Sequence, residues 1–153
     1  MEEAEKLAYD FIREITDYCE KIRVVGSIRR RRPQVKDVDL VLIVKDWVGF
    51  TTKLRKISTK FLIDGEQVKR IIYLDTQIDL NFASPETYDP LILIRTGSMA
   101  HNIKLSTVAL RKGLKLTHRG LVKPGEEGKV IASTEKGIFE TLGLSYVEPE
   151  ERE

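Results

Sequence analysis

The first residues of the chain carry apolar side chains at the spacing of one helix face. Leu7, Phe11 and Ile15 recur every fourth position, and charged residues fill most of the positions between them. An amphipathic helix packs such a stripe against a core and turns its charged side to water. The spacing therefore predicts a helix over residues 3–21, with Cys19 on its buried side.

Short apolar runs between polar turns predict strands. These runs are rich in β-branched residues and too short for an ordinary helix. The continuous run at 38–44 is expected to be a central strand. The predicted strands are 23–26, 38–44, 60–63, 68–74 and 77–82. We therefore expect a sheet of four or five strands flanked by helices.

A change of composition between Pro85 and Pro90 introduces a second predicted region. Helices are expected at 46–57, 86–95, 99–112 and 134–142, with short strands around 115–122. Thr134 is a candidate N-cap, and Gly143 is a candidate stop for the last helix. The pattern predicts an α/β (α+β) fold, with a mixed-sheet lobe at residues 1–85 and a smaller helical and hairpin lobe at residues 86–153.

Composition bounds the class of protein. The 153 residues are 41% hydrophobic, which is enough for a core, and the single Cys excludes an internal disulfide framework. The 26 basic and 24 acidic residues leave a net charge of only +2, so overall charge does not identify a polyanionic partner. The N-terminus lacks a secretory pattern, and no run approaches the ~20 apolar residues of a membrane span. These features predict a soluble cytoplasmic protein with no membrane partner.

Two aspartates stand together at the head of the predicted central strand. Successive side chains on a strand alternate, so Asp37 and Asp39 point to one face, while Val38, Leu40 and Leu42 point to the other. Two carboxylates are therefore expected to share one small space.

A third aspartate lies on the next strongly apolar strand. Ile78, Leu80 and Phe82 are expected to face the core, which leaves Asp79 pointing away from them. If the two strands are neighbours in the sheet, Asp37, Asp39 and Asp79 converge.

Carboxylates that converge repel one another, and their burial is costly unless a proton or a cation neutralises them. Oxygen ligands suit Mg²⁺ or Mn²⁺, whereas Zn²⁺ prefers Cys and His, of which this chain has one and two. Two such ions about 3.5–4 Å apart can activate a hydroxyl and stabilise a leaving oxygen. Taken alone, Asp37-x-Asp39 fits a metal site and a set of salt bridges equally well.

A glycine, a serine and a basic run precede the aspartates. Gly26 lets the backbone approach an anion, the Ser27 hydroxyl can donate to phosphate, and Arg29 and Arg30 can bind phosphate oxygens bidentately. Each part is common as a turn or a solvated patch. Their order before Asp-x-Asp favours a triphosphate site.

In this order the motifs resemble those of the family X polymerases, the nucleotidyltransferases related to DNA polymerase beta. Residues 25–30 and 37–42 resemble the nucleotidyltransferase motif, and 78–80 resemble the strand that carries the third metal carboxylate. Residues 95–102 and 134–152 resemble the nucleotide-selecting lobe. The resemblance covers most of the chain.

The resemblance implies a role for each motif residue. Asp37 and Asp39 would hold two Mg²⁺ ions, which Mn²⁺ can replace, and Asp79 would bind only the catalytic ion beside the primer 3′ hydroxyl. The other implied nucleotide contacts are Gly26, Ser27 and Arg30 at the triphosphate, Thr96, Gly97 and Ser98 at the sugar, and Asn102 at the base edge.

The chain also departs from the family pattern. It begins at the catalytic lobe, so the lyase domain and the helix-hairpin-helix lobe of larger relatives are expected to be absent. Ile94 and Arg95 stand where polymerase beta has an aromatic pair beside the sugar, which leaves sugar selection open. Asn81 stands where some relatives carry an arginine that restrains a metal aspartate.

The expected activity is template-directed DNA synthesis of the gap-filling repair type. A dNTP would add its nucleoside monophosphate to the 3′ hydroxyl of a primer–template or gapped duplex, with release of pyrophosphate. Two alternatives stay open: template-independent transfer to RNA or another acceptor, and a catalytically silent nucleic-acid-binding module. A protein partner that supplies DNA-gripping domains also stays open. His101, on a basic predicted helix, is expected to contact backbone or DNA phosphate.

Overall fold

The computed structural model describes all residues from 1 to 153. The helices are α1 (Glu2–Ile15), α2 (Gly26–Arg29), α3 (Trp47–Ile57), α4 (Tyr88–Thr96), α5 (Met99–Arg111) and α6 (Glu135–Thr141). The strands are β1 (Cys19–Val25), β2 (Val38–Val44), β3 (Lys60–Asp64), β4 (Val68–Tyr73), β5 (Thr76–Phe82), β6 (Lys115–Thr117), β7 (Gly120–Lys123) and β8 (Glu126–Ala132). Short 3₁₀ turns lie at Thr16–Tyr18 and Pro149–Glu151.

Five strands form one mixed sheet in the order β1-β2-β5-β4-β3. Only the central pair, β2 and β5, runs parallel, and the other neighbours are antiparallel. The predicted mixed α+β fold is confirmed. Because β2 and β5 are direct parallel neighbours, the beginnings of both strands lie at the same edge of the sheet.

Both faces of the central strand β2 are buried. Leu40 and Leu42 pack with Phe11 of α1 and Phe50 of α3 on one face. On the other face, Val41 packs beneath α4. A strand buried on both sides has no solvated face, which explains the continuous apolar run of its sequence. The strand is thereby fixed in register, and so are the polar residues at its head.

A second core lies after the five-stranded sheet. Strands β6, β7 and β8 form a small antiparallel sheet, and its buried residues pack with α4, α5 and α6 through Leu93, Leu105 and Phe139. The two large hydrophobic clusters fall on opposite sides of Pro85. The predicted division into lobes at 1–85 and 86–153 agrees with this distribution and stays a prediction.

The largest differences from the sequence prediction are the end of the first helix and a strand that was not predicted. The first helix ends at Ile15 rather than at residue 21, and Cys19 begins β1 instead of lying on the helix. Strand β8 was not predicted, because its residues are almost all exposed and carry no apolar alternation. The helix at Glu135–Thr141 is confirmed, with the Thr134 hydroxyl accepting a hydrogen bond from the Gly137 amide.

None of the helices has the length and apolar character that a membrane crossing requires.

Candidate active site

The parallel pairing of β2 and β5 brings two of the predicted aspartates to one level. Asp39 on β2 lies opposite Asp79 on β5, and the same register pairs Leu40 with Leu80 in the core. Asp37 is exposed in the segment that leads into β2. The expectation that these strands are neighbours is confirmed, and the acidic positions occupy the edge of the sheet where both strands begin.

Gly26 at the start of α2 lies directly against Asp39. Its φ is +65°, a conformation that favours glycine, and an added Cβ would overlap the Asp39 carboxylate, with 3.0 Å to its Cγ. Strand β1 pairs with β2 so that Val25 lies opposite Asp39, and the turn at Gly26 therefore closes over the carboxylate. The glycine of the Gly-Ser motif is required here by the aspartate itself.

The Asp39 carboxyl has a perturbed proton affinity. Its pKa is raised from 3.8 to about 6, chiefly by burial and then by the neighbouring carboxylates of Asp79 and Asp37, against an opposing effect of Arg95. Burial and like charges both disfavour the ionised form. This combination in a cleft is typical of a functional site, and a cation beside Asp39 would relieve both effects.

Asp79 is engaged with cationic and amide donors. Arg70 of β4 donates from Nε to Asp79 Oδ1 at 2.8 Å and from Nη2 to Oδ2 at 3.4 Å, and Gln77 Nε2 donates to Oδ1 at 3.3 Å. As the side chains stand, no three His, Cys, Asp or Glu residues are grouped to hold a metal ion. The donor set of Asp37, Asp39 and Asp79 fits a hard divalent cation, and that site stays a prediction.

The basic motif lies between the aspartates and the second core. Arg30 donates a hydrogen bond to the backbone carbonyl of Thr96. The pKa of its guanidinium is lowered, chiefly by burial and then by the positive charge of Arg32. An added Cβ on Gly97 would lie 3.1 Å from Arg30 Nη1, so this glycine also gives close approach. Ser27 is half-buried beside them. The structure thus brings the Gly-Ser turn, Arg30 and the Thr96-Gly97 segment together.

The other residues predicted to contact the nucleotide make hydrogen bonds within the protein. Thr96 is buried, and its hydroxyl accepts a 2.7 Å hydrogen bond from Arg29. Ser98 caps α5 by accepting from the His101 amide, and Asn102 donates to the Ile94 carbonyl at 2.8 Å. The Asn102 side-chain oxygen is buried without a partner. Contacts of these residues with sugar or base stay predictions.

A cleft of about 380 Å³ adjoins this region. Asn81, Phe82, Arg95 and His118 contribute to its walls. Asn81 is buried and donates to the Leu40 carbonyl at 3.0 Å, so it braces β2 against β5. Away from the aspartates, a cleft of about 480 Å³ lies between the segment at 84–87, Arg119 and β8, and one of about 500 Å³ lies along the β6–β7 hairpin. The carboxylates and arginines, rather than cleft size, identify the candidate site.

His101 does not lie where the sequence analysis expects it. Its side chain is 5% exposed and packs against Phe139, with ring centroids 5.7 Å apart. Burial lowers its pKa to about 4, and the charge of Arg152 contributes. The expectation of a DNA-phosphate contact is therefore wrong, because a buried neutral imidazole has no access to a duplex.

A cluster of two arginines and one glutamate links the candidate site to the second core. The sequence motifs did not identify Arg29, Arg152 and Glu135 as a group. Glu135 of α6 accepts from Arg29 at 2.7 and 2.9 Å and from Arg152 at 2.8 Å. Arg152 is fully buried and also lies over the rings of Phe139 and Tyr146. Arg29 and Glu135 are 106 positions apart in the sequence, so no local pattern could pair them.

Arg70 was also missed, although the sequence contains a signal for it. Tyr73 pairs with Thr76 across a two-residue turn, and that register places Arg70 opposite Asp79. Both turn residues, Leu74 and Asp75, have positive φ, as a type I′ turn requires. The usual glycine of such a turn is absent, which hid the register from the sequence analysis.

The mixed sheet, the Gly-Ser turn and the paired strand aspartates have the order and placement that the nucleotidyltransferase resemblance predicts. A family model described as the DNA polymerase beta thumb matches residues 91–153. The chain is 27% identical over 158 aligned positions to the repair DNA polymerase X of African swine fever virus (isolate Pig/Kenya/KEN-50/1950), an alignment that covers 96% of this chain and 90% of the viral protein.

Two cellular relatives match as parts of longer proteins. The DNA polymerase/3′-5′ exonuclease PolX of Bacillus subtilis is 27% identical over 87% of this chain and 24% of its own length. DNA polymerase IV of Saccharomyces cerevisiae is 29% identical over 78% of this chain and 19% of its own length. Together with the thumb match, these similarities confirm the resemblance of the chain to the family X polymerases. Enzymes of this family generally need a divalent metal.

Proposed function

We propose that the chain is a metal-dependent, template-directed DNA polymerase of the gap-filling repair type. The observation that carries the proposal is the parallel register of Asp39 and Asp79, with Gly26 packed against the Asp39 carboxylate. The similarity to a repair DNA polymerase X over nearly the whole length of both chains supports the choice of reaction. The substrates are a dNTP and the 3′ hydroxyl of a primer annealed to a template.

The three aspartates suit a pair of Mg²⁺ ions, with Mn²⁺ as a substitute. Asp37 and Asp39 are the ligands proposed for both ions, and Asp79 is proposed for the ion beside the primer terminus. Bound there, the ions supply charge stabilisation for the attacking and leaving oxygens. The raised pKa of Asp39, at about 6, indicates the electrostatic cost that such a cation would remove.

In the proposed reaction the primer 3′ oxygen bonds to the α phosphorus while the bond to the β-phosphate oxygen breaks. The 3′ hydroxyl proton passes to Asp79, and the electron pair of the broken bond leaves with pyrophosphate. Ser27 and Arg30 donate hydrogen bonds to the triphosphate and orient it for this in-line displacement. Arg30 already projects toward the second core, where it meets the Thr96 carbonyl.

The second core is proposed to select the nucleotide. Thr96, Gly97 and Ser98 lie where the chain passes from α4 to α5, next to Arg30, and this position supports a contact with the incoming sugar. Asn102 has its amide nitrogen bonded to Ile94, so its free oxygen is the group that would accept from a base edge. Exposed Lys and Arg residues of this region, Lys104, Arg111, Lys112, Lys115 and Arg119, would meet DNA phosphates. A partner protein that adds DNA-gripping surface stays compatible with this arrangement.

Incorporation by carboxylate variants tests the proposal. Asp39→Ala and Asp79→Ala are expected to lower Mg²⁺-dependent dNMP addition by at least about a thousandfold, since each removes charge from the reacting centre. Asp64→Asn is the matched control, because Asp64 is an exposed aspartate on β3 at the far edge of the same sheet. Equal loss in all three variants, or no loss in the first two, would contradict the proposed site.

A further inference from the structure

Arg70 donates hydrogen bonds to the carboxylate of Asp79, which the proposed reaction requires as a cation ligand. Its guanidinium contacts both oxygens of Asp79, at 2.8 and 3.4 Å, and Gln77 shares Oδ1. The Asp79 side chain is 16% exposed, whereas the Arg70 side chain is 39% exposed. The pair therefore lies at the mouth of the site, with the aspartate inside and the arginine partly in water.

The position of Arg70 is fixed by the fold. Strands β4 and β5 are joined by a two-residue turn, and their antiparallel register sets Arg70 directly opposite Asp79. The neighbouring Lys69 belongs to the other side of the strand and pairs with Asp64 of β3. Of these two adjacent cations, only Arg70 is directed at a predicted metal carboxylate.

We propose that Arg70 is a positioning residue that holds Asp79 while the site lacks a divalent cation and must release it before Asp79 can bind one. The inference rests on the proposed function and concerns the same site. A guanidinium and a divalent cation compete for the same two carboxylate oxygens. The ion pair keeps the Asp79 carboxylate oriented beside Asp39, and it raises the cation concentration needed to complete the site.

The pair is partly exposed, so the competition has a modest size. Partly exposed ion pairs contribute little net free energy, and loss of the competing cation is therefore expected to tighten cation binding by about 3- to 10-fold. Because Arg70 acts through Asp79, its removal changes the cation concentration at half-maximal rate more than the rate at saturation.

Mn²⁺ binding to the isolated protein, followed by electron paramagnetic resonance, tests this directly without any turnover. We expect Arg70→Ala to bind Mn²⁺ about 3- to 10-fold more tightly than the wild type, and Lys69→Ala to bind it as the wild type does. Arg70→Lys keeps a charge but cannot form the two-point contact, so an intermediate affinity is expected. In an Asp79→Asn background, the Arg70→Ala substitution is expected to have no more than about a twofold effect.

Primer extension with increasing Mg²⁺ supplies the second measurement. Arg70→Ala is expected to lower the half-saturating Mg²⁺ concentration by a similar factor and to leave the saturated rate within about threefold. Unchanged or weaker Mn²⁺ binding in folded Arg70→Ala and Arg70→Lys, with normal binding by the wild type, would overturn the role of Arg70 alone. Absence of Mn²⁺ binding by the wild type and every variant would instead overturn both this inference and the proposed metal site.

Discussion

Arg29 and Glu135 form a two-point ion pair that joins the motif beside the candidate site to the last helix. The nitrogen–oxygen distances are 2.7 and 2.9 Å, and the side chains are only 11% and 15% exposed. Glu135 also accepts from the fully buried Arg152, so a single carboxylate compensates two guanidinium groups. The opposing effects of burial, which raises its pKa, and of its bonds to Arg29 and Arg152, which lower it, leave the Glu135 pKa below its ordinary value. This pair therefore holds the two cores together.

Removal of the shared carboxylate is expected to destabilise the fold strongly. Glu135→Ala leaves two buried guanidinium groups without a counter-charge, and such losses typically cost about 3–5 kcal/mol. Urea unfolding at neutral pH measures the change. Glu140→Ala, an exposed glutamate on the same helix, is the matched control and should change stability by less than about 0.5 kcal/mol. Equal effects of the two substitutions would contradict the account of Glu135.

Gly26→Ala is expected to lower activity strongly by displacing Asp39. The added Cβ would overlap the carboxylate, and a displacement of about 1 Å at a reacting group can cost roughly a hundredfold in rate. Primer extension at saturating Mg²⁺ measures the loss.

Gly113→Ala separates this effect from backbone strain. Gly113 has a φ of +72°, close to that of Gly26, but nothing lies within 4 Å of its added Cβ. Both substitutions should cost about 1–2 kcal/mol through the left-handed conformation, while only Gly26→Ala should lose activity. Retention of normal activity by Gly26→Ala would show that Asp39 tolerates the contact.

The raised pKa of Asp39 predicts a pH-dependent stability. The pKa of Asp39 is about 6 in the native protein instead of 3.8. The native environment therefore disfavours the charged form of this side chain. The destabilisation is absent below the lower value, grows between the two, and is complete above about 6. In chelator-treated protein, Asp39→Asn should therefore be more stable than the wild type by about 1–3 kcal/mol near neutral pH.

Denaturant unfolding with and without a chelator checks this expectation. The gain of Asp39→Asn should disappear below the ordinary aspartate value of 3.8, because Asp39 is then uncharged in both the native and the unfolded protein. Asp64→Asn, on the exposed edge strand, should show no comparable gain. A loss of stability in Asp39→Asn at both pH values would mean that the charge of Asp39 is compensated by other groups.

Most of the sheet could be predicted from the sequence because its strands have a strong physical signature. The run at 38–44 is buried on both faces, and its boundaries were predicted correctly. The convergence of Asp39 and Asp79 required only the assumption that their strands are neighbours, and the observed register bears it out.

The misplaced boundaries have equally physical causes. Tyr18 and Cys19 continue the helical spacing beyond Ile15, where α1 ends, although Cys19 belongs to β1. One apolar spacing can serve a helix face or the start of a strand. Strand β8 buries no face and therefore has no alternation to detect. His101 was misplaced because a polar residue on a basic helix gave no indication that its side chain packs against Phe139.

The candidate site was predictable where its residues share a strand or a turn, and it was not where partners come from distant segments. Asp37 and Asp39 are close in sequence, whereas Glu135 lies 106 positions from Arg29. Long-range ion pairs depend on how two cores dock, and no local spacing encodes that arrangement. Arg70 is intermediate, because only the length of the turn at Leu74 and Asp75 connects it to Asp79.

The measurement that tests the central claim most directly is primer extension on a duplex with a one-nucleotide gap. Each dNTP and rNTP is supplied separately with Mg²⁺ or Mn²⁺, and the wild type is compared with Asp39→Ala. We predict addition of the template-matched dNMP by the wild type and loss of that addition in Asp39→Ala. Addition that ignores the template base would contradict template-directed synthesis and favour terminal transfer. Failure to add any nucleotide would contradict the polymerase assignment and favour a nucleic-acid-binding module or dependence on a partner protein.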